Sequence, residues 1–359
     1  MKVVIAGGGT GGHLYPGISI ARELLRMPGN EVLFVGTEQG IEARVLPKEG
    51  LPLRFITAGK LKGMGVASVL KTLITLPRSV YQSLRLLREA RPDVALGVGG
   101  YASAPVMFSG WLLRVPTIIV EPNSYAGLAN RMLATLADRV VLCFPGTNRM
   151  NFFPGKKTVV TGPLTRKGID EGNREKALKD FGLEQGKFTV FAFGGSGGAH
   201  AINMAMKEAA RLLADMQNIQ VLHQTGDKDV EEVKEGYRDA KMKAAVFPYI
   251  YDMAGAYAAA DLVVSRSGAT TVAELAVCGK PAVLIPYPFA ADNHQEYNAR
   301  TLAGRGNADV IVQKDLTPAA LATVIRKYAG RGGKTAEKPM ESGAAAEIVR
   351  ICTSYVQKD

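Results

Sequence analysis

A glycine-rich turn that follows a short apolar strand occurs twice in this chain, about half its length apart. Val3-Val4-Ile5-Ala6 runs into Gly7-Gly8-Gly9-Thr10-Gly11-Gly12-His13, and Val190-Phe191-Ala192-Phe193 runs into Gly194-Gly195-Ser196-Gly197-Gly198-Ala199-His200. Each copy reads as a strand, a turn almost without side chains, and a helix. Such a turn brings backbone N–H groups and a helix N-terminus close to an anion. Two copies predict two similar α/β domains facing a phosphate-bearing ligand. A length of 359 residues suits two domains.

Apolar strand patterns alternate with helical ones along the whole chain, which implies parallel sheets. In the first half the strands fall near Val3–Ala6, Val32–Gly36, Leu53–Thr57, Val94–Val98, Thr117–Glu121 and Arg139–Leu142. In the second they fall near Thr189–Phe193, Gln220–Gln224, Ala244–Phe247, Leu262–Ser265, Ala282–Pro286 and Asp309–Val312. Each set predicts a doubly wound sheet of about six strands, with ligands outside the strand C-termini. The join is expected near Gly162-Pro163, giving domains over 1–163 and 164–340. A second break at Gly330-Arg331-Gly332-Gly333-Lys334 precedes a final helix within 341–359, expected to return to the first domain.

Composition narrows the partners. The formal charge of +11 suits an anionic ligand or an acidic lipid surface. No basic run is interleaved with aromatics, so nucleic acid is not expected. The five apolar residues before the first glycines are too few for a signal-peptide core. No apolar run reaches the ~20 residues of a spanning helix; Val106–Val120 comes nearest and is interrupted by Arg114 and Pro116. The chain is therefore expected to be soluble or peripheral. Cys143, Cys278 and Cys352 are too scattered for a disulfide framework or a zinc site, and Cys278 and Cys352 read as core residues.

Several segments at strand ends carry chemistry. Gly7–Gly12 fits the dinucleotide pattern, and Glu38 near the end of the second strand keeps a nicotinamide reading open. His13 and the second glycine turn oppose it, and no Gly-Lys-[Ser/Thr] follows either turn. A third cluster, Gly97-Val98-Gly99-Gly100-Tyr101, is denser in glycine than a tight turn requires. Asn123, after Glu121-Pro122, is either a turn former or an amide that binds a sugar. In Ser265-Arg266-Ser267-Gly268-Ala269-Thr270-Thr271-Val272-Ala273-Glu274, small residues open a helix whose N–H groups can hold a diphosphate. Glu274 is then either a ribose acceptor or part of the helix cap. Pro286–Glu296 is rich in side chains that recognise hydroxyls, His294 among them. Asp227-Lys228-Asp229 spells a metal-binding D-x-D, but its place at a helix start favours capping. His13 is the best candidate base; His223, in an apolar strand, reads as core, and His200 carries no assignment. From Lys60 to Arg91, basic and apolar residues alternate at helical spacing, through Lys62, Lys71, Arg78, Arg85 and Arg88. That stretch is either a solvated basic face or a membrane contact.

Together these residues resemble a family. Gly8-Gly9-Thr10-Gly11-Gly12-His13, Gly99-Gly100-Tyr101, Glu121-Pro122-Asn123, Gly194-Gly195-Ser196-Gly197-Gly198-Ala199, Arg266-Ser267-Gly268-Ala269 and Asp292-Asn293-His294-Gln295 occur in the order of the bacterial peptidoglycan N-acetylglucosaminyltransferases of glycosyltransferase family 28. The resemblance runs nearly end to end. It implies a GT-B fold: two doubly wound, Rossmann-like domains with a cleft between them. It implies UDP-N-acetylglucosamine (UDP-GlcNAc) as donor and the undecaprenyl-linked intermediate lipid I as acceptor. The product is lipid II, made without a cofactor or essential metal by a peripheral enzyme on the cytoplasmic face of the inner membrane. Cell-wall synthesis proteins are partners it leaves open.

The family's donor contacts carry over onto matching positions. Thr10, Gly11 and Gly12 form the first loop, and Asn123 contacts the GlcNAc. Arg166 and Ser196 hold the phosphates, and Ile250 offers its backbone to uracil. Ala269, Thr270, Thr271, Val272, Ala273 and Glu274 wrap the diphosphate and ribose, and Gln295 binds the sugar. Two positions depart from the pattern. Gly162-Pro163-Leu164-Thr165-Arg166 replaces the usual Gly-Asn-Pro-x-Arg, and Thr270 stands where Leu is common. Open beside the transferase are another UDP-GlcNAc enzyme of the same fold, such as a glycolipid transferase or an epimerase, and a non-catalytic nucleotide-sugar binder.

Overall fold

The computed structural model describes residues 1–58, 66–148, 150–332, 339–341 and 343–356. It divides into two compact units, one of residues 1–166 with the closing helix and one of residues 167–341. The boundary falls after Arg166 rather than after Pro163, because Thr165 and Arg166 are tied back to the first helix. Ser19 Oγ donates to the Thr165 carbonyl at 2.7 Å, and the Arg166 guanidinium lies 5.1 Å from the centre of the Tyr15 ring. Arg166 thus belongs to the first unit, not to the domain in which it was expected.

In the first unit the strands are β1 (Lys2–Gly7), β2 (Glu31–Gly36), β3 (Leu53–Phe55), β4 (Val94–Gly99), β5 (Thr117–Glu121), β6 (Arg139–Leu142) and β7 (Thr158–Val160). They form one parallel sheet in the order β3-β2-β1-β4-β5-β6-β7. The helices between them are α1 (Gly11–Leu24), α2 (Glu42–Lys48), α3 (Val66–Ala90), α4 (Ser103–Leu112) and α5 (Leu128–Leu133). Val3, Val4, Ile5, Leu96 and Val98 are fully buried, as strands covered by helices on both faces must be. The seventh strand, β7, pairs with β6 before the chain passes to the second unit.

The second unit holds β8 (Phe188–Phe193), β9 (Ile219–Gln224), β10 (Ala244–Phe247), β11 (Leu262–Ser265), β12 (Ala282–Leu284) and β13 (Ala308–Val310). They form a second parallel sheet ordered β10-β9-β8-β11-β12-β13. Its helices are α6 (Arg174–Asp180), α7 (His200–Leu212), α8 (Val230–Asp239), α9 (Met253–Ala259), α10 (Ala269–Cys278), α11 (His294–Ala303) and α12 (Pro318–Gly330). The closing helix α13 (Ala344–Val356) packs on α1 and buries Ala344, Ile348, Val349 and Cys352. Gly333 and Lys334 lie outside the described residues.

The two strand orders place the candidate motifs. Strand order reverses between β1 and β4 in one sheet and between β8 and β11 in the other. Ligands of such sheets bind at these reversals. The first and third glycine clusters follow β1 and β4. The second glycine turn and the Ser265–Glu274 segment follow β8 and β11.

Candidate functional site

The glycine turns, alike in sequence, differ in structure. In the first, the fully buried Glu42 on α2 turns its carboxylate into the loop. Its Oε2 accepts the Gly9 N–H at 2.7 Å, and its Oε1 accepts the Thr37 N–H at 2.8 Å and the Thr37 hydroxyl at 3.0 Å. A methyl group added at Gly8 would strike that carboxylate at 2.3 Å. The first turn is therefore already occupied by a carboxyl group of the chain itself. This removes the dinucleotide reading: the acid near β2 is the internal Glu42, while Glu38 is exposed. The second turn is open, since methyl groups at Gly195 or Gly197 would meet nothing within 4 Å, and Ser196 is exposed.

The third glycine cluster is explained by packing against the first. The His13 ring lies against Gly99, where a methyl group would sit 2.6 Å from Nδ1. Gly100 approaches the Gly8 carbonyl so closely that a methyl group would come within 2.3 Å of its oxygen. His13 Nδ1 is 3.0 Å from the Val98 carbonyl. A carbonyl only accepts, so Nδ1 carries the proton and Nε2 is the basic nitrogen. Thr10, at the N-cap of α1, makes no side-chain cap bond, and Gly11 and Gly12 form the first turn of that helix.

Asn123 follows β5 and is buried with its backbone N–H and its Nδ2 both donating to Glu121 Oε1 at 3.0 Å. The other carboxylate oxygen of Glu121 accepts the Gly127 N–H at 2.8 Å and Asn130 Nδ2 at 2.9 Å. Glu121 thus shapes the Asn123 loop, a role the sequence reading did not assign.

In the second unit, α7 and α10 begin on either side of the β8–β11 reversal. Neither has a side-chain cap bond at its N-cap or an acidic residue in its first turn. In α10 the first-turn N–H groups of Ala269, Thr270 and Thr271 precede the first i→i−4 bond, from Val272 to Gly268, and favour negative charge. Glu274 is not part of a cap: it is buried one turn further in, with Oε2 accepting the Tyr257 hydroxyl at 3.0 Å. Val272 and Ala273 are buried beside it. Ile250 is buried, and its N–H already donates to Gln224 Oε1 at 2.8 Å, so any backbone recognition there falls to its carbonyl.

Gln295 joins two candidate segments. Its Oε1 accepts the Tyr287 N–H at 3.0 Å and its carbonyl accepts the Ser267 hydroxyl at 2.7 Å. Arg266 donates to the carbonyls of Ile285 and Pro286, at 3.2 Å each. Asp292 and Asn293 both adopt left-handed backbone, with φ of 53° and 52°. Consecutive strained residues of this kind cluster at functional loops.

Asp229 occupies the N-cap of α8, but its carboxylate does not cap that helix. It accepts Asn203 Nδ2 at 2.7 Å and faces His200 Nδ1 at 3.1 Å, tying α8 to α7. Asn203 Oδ1 lies 3.1 Å from His223 Nε2, and His223 Nδ1 lies 2.8 Å from the Tyr237 hydroxyl. Burial pushes His223 down to about 3, so it stays neutral in the core. Burial likewise pushes the Cys143, Cys278 and Cys352 thiols up to about 12, which removes them as nucleophiles. Among the described residues, no group of three or more His, Cys, Asp or Glu side chains is placed to hold a metal ion.

Comparison with known proteins agrees with the two-domain fold. Residues 3–142 match the model of the glycosyltransferase family 28 N-terminal domain, and residues 189–351 match that of the C-terminal domain. A protein of Thermodesulfovibrio yellowstonii is 44% identical over 366 residues, covering all of both chains. It is named UDP-N-acetylglucosamine--N-acetylmuramyl-(pentapeptide) pyrophosphoryl-undecaprenol N-acetylglucosamine transferase. A protein of the same name from Myxococcus xanthus is 44% identical, over 99% of this chain and 93% of its own. The crystal structure of Acinetobacter baumannii MurG superposes with a TM-score of 0.76 at 29% identity, over 98% of this chain and 99% of that one. A Neisseria meningitidis UDP-GlcNAc 2-epimerase bound to UDP-GlcNAc shares the fold, with a TM-score of 0.64 at 13% identity, over 99% of this chain and all of that one.

Proposed function

The chain belongs to glycosyltransferase family 28, and on that premise we infer that it is an inverting N-acetylglucosaminyltransferase of peptidoglycan synthesis. It moves GlcNAc from UDP-GlcNAc to the C4 hydroxyl of the MurNAc sugar of lipid I, giving lipid II. The family relationship supports the substrates. The observation that carries the site reading is the pair of uncapped helix N-termini, α7 and α10, flanking the open second glycine turn.

The donor lies on the second unit in this reading. Ser196 and the N–H groups of Ala269, Thr270 and Thr271 meet the diphosphate, for which the family pattern also assigns Arg166. The Ile250 carbonyl accepts from uracil, Glu274 from the ribose, with Val272 and Ala273 backing that helix. Gln295 and Asn123 bind the GlcNAc, and Thr10, Gly11 and Gly12 present His13. His13 Nε2 takes the proton of the C4 hydroxyl as that oxygen attacks the anomeric carbon. The bond from that carbon to the phosphate oxygen breaks, UDP leaves from the opposite face, and a β-1,4 bond forms. Each helix terminus contributes about 0.3–2 kcal/mol towards the departing negative charge, and donors fixed before the reaction favour the charge-separated transition state. The step is one displacement, without a covalent enzyme intermediate, cofactor or metal.

A UDP-release assay with UDP-GlcNAc and lipid I, run in EDTA, tests the reading. Turnover with lipid II as product is the expected outcome. Binding of UDP-GlcNAc without transfer would leave a nucleotide-sugar binder, and an absolute Mn²⁺ requirement would remove the metal-free displacement. An epimerase is not favoured, because the relatives that span the whole chain at 44% identity are transferases.

Membrane contact is assigned to α3 and the end of α4. Ser79, Ser83 and Leu87 face the core, while Leu76, Arg78, Tyr81, Arg85 and Arg88 are exposed on α3. Trp111 and Leu112 are exposed at the end of α4, which packs on α3. Lys60, Lys62 and the side chains of residues 66–74 lie outside the described residues. Among the described residues no helix is long and apolar enough to cross a membrane; in this reading the contact is a peripheral one on the cytoplasmic face. Co-sedimentation with vesicles containing anionic lipid should be strong in low salt and weaken steeply in high salt. Equal binding to neutral vesicles would contradict the basic part of the patch, and a Tyr81→Ser/Trp111→Ser variant that binds normally would contradict the apolar part.

A further inference from the structure

Gln224 closes β9, the strand between β8 and β10, and pairs in register with Phe193 on one side and Phe247 on the other. Its side chain is buried, and its amide is used in both directions. Nε2 donates to the Gly195 carbonyl in the second glycine turn at 2.9 Å, and Oε1 accepts the Ile250 N–H beyond β10 at 2.8 Å. An amide side chain carries a donor and an acceptor in one plane, so it can serve both partners at once. One residue therefore joins the turn that carries Ser196 to the segment that carries Ile250.

We propose that Gln224 is a positioning residue that sets the base-reading segment relative to the phosphate-binding turn, and so makes the donor site selective for a uridine diphosphate sugar. The proposal rests on the reading of Ser196 and Ile250 given above. Removing the amide frees the Ile250 backbone to turn, which blurs recognition of the base edge. It also frees the Gly195 peptide, which loosens the phosphate contacts.

The test compares UDP-GlcNAc with CDP-GlcNAc, which differ only at the base. Gln224→Ala is expected to lower kcat/KM for UDP-GlcNAc by ~10-fold or more, the scale of one to two lost buried hydrogen bonds. It should also shrink the preference for UDP-GlcNAc over CDP-GlcNAc by a similar factor. A merely structural loss would lower both donors in proportion. Gln224→Glu keeps the acceptor for Ile250 and loses the donor to Gly195. It should lose kcat/KM while retaining the base preference, and it stands alone if the alanine variant does not fold. An unchanged preference in Gln224→Ala, or unchanged kcat/KM in Gln224→Glu, overturns the role of Gln224. If the wild-type enzyme shows no base preference, or Ser196→Ala leaves KM for UDP-GlcNAc unchanged, the site assignment itself fails and the proposal falls with it.

Discussion

Replacing His13 with alanine should lower kcat by ~10²–10⁴-fold, the usual loss on removing a positioned general base. Affinity for UDP, measured by competition, should change little, because the donor contacts assigned to Ser196 and α10 lie on the other unit. The geometry makes the expectation specific to one nitrogen. The bond from Nδ1 to the Val98 carbonyl fixes the tautomer, so Nε2 is the nitrogen that can accept a proton. The ring stands where Gly99 leaves room for it. Removing the imidazole leaves a gap of its own shape, so added imidazole should restore part of the rate to His13→Ala. A near-normal kcat would take the base role from His13. Lost activity without rescue, together with weakened UDP binding, would instead assign it to structure.

The strand pattern was legible because each sheet is buried on both faces. Uninterrupted runs such as Val3-Val4-Ile5-Ala6 and Val190-Phe191-Ala192-Phe193 can satisfy no other environment. The glycine turns were legible as backbone features, but their difference was not. It depends on Glu42, which reaches Gly9 across 33 residues and occupies only one of the two turns. Gln224 was hidden for the same reason, since its partners lie 29 and 26 residues away and its own neighbourhood reads as plain strand. The third glycine cluster was legible as denser than a tight turn requires, but the reason was not. Its density serves two close approaches, of the His13 ring to Gly99 and of the Gly8 carbonyl to Gly100. Asp229 was placed correctly at a helix start and given the wrong partner, because capping is a local rule and its bonds to Asn203 and His200 are long-range. Local chemistry could be read from spacing; the groups that hold it in place come from other strands and helices.

Replacing Gly198 with alanine should cost the second unit ~3 kcal/mol or more and remove donor binding with it. Gly198 has φ of +75°, a conformation that costs an L-residue roughly 1–2 kcal/mol before any contact is counted. The added methyl group would then sit 1.9 Å from the Thr225 carbonyl oxygen and 2.6 Å from its carbon. Neither is the end of a flexible side chain. Thr225 is held by its N–H bond to the Phe247 carbonyl at 3.0 Å, and its own carbonyl oxygen accepts Asn203 Nδ2 at 2.8 Å. Relief therefore requires the glycine turn to move away from β9, carrying Ser196 and the start of α7 with it. Gly197 supplies the control. A methyl group there meets nothing within 4 Å, so Gly197→Ala should unfold in urea at nearly the wild-type midpoint. If the turn faces the diphosphate, that same methyl group should still weaken UDP binding. Urea unfolding and UDP competition on the two variants thus separate scaffold from ligand surface. Gly198→Ala is expected to fail in both and Gly197→Ala in binding alone. A Gly197→Ala variant that binds UDP normally would move the diphosphate off this turn, and a Gly198→Ala variant of normal stability would refute the close backbone approach on which the turn depends.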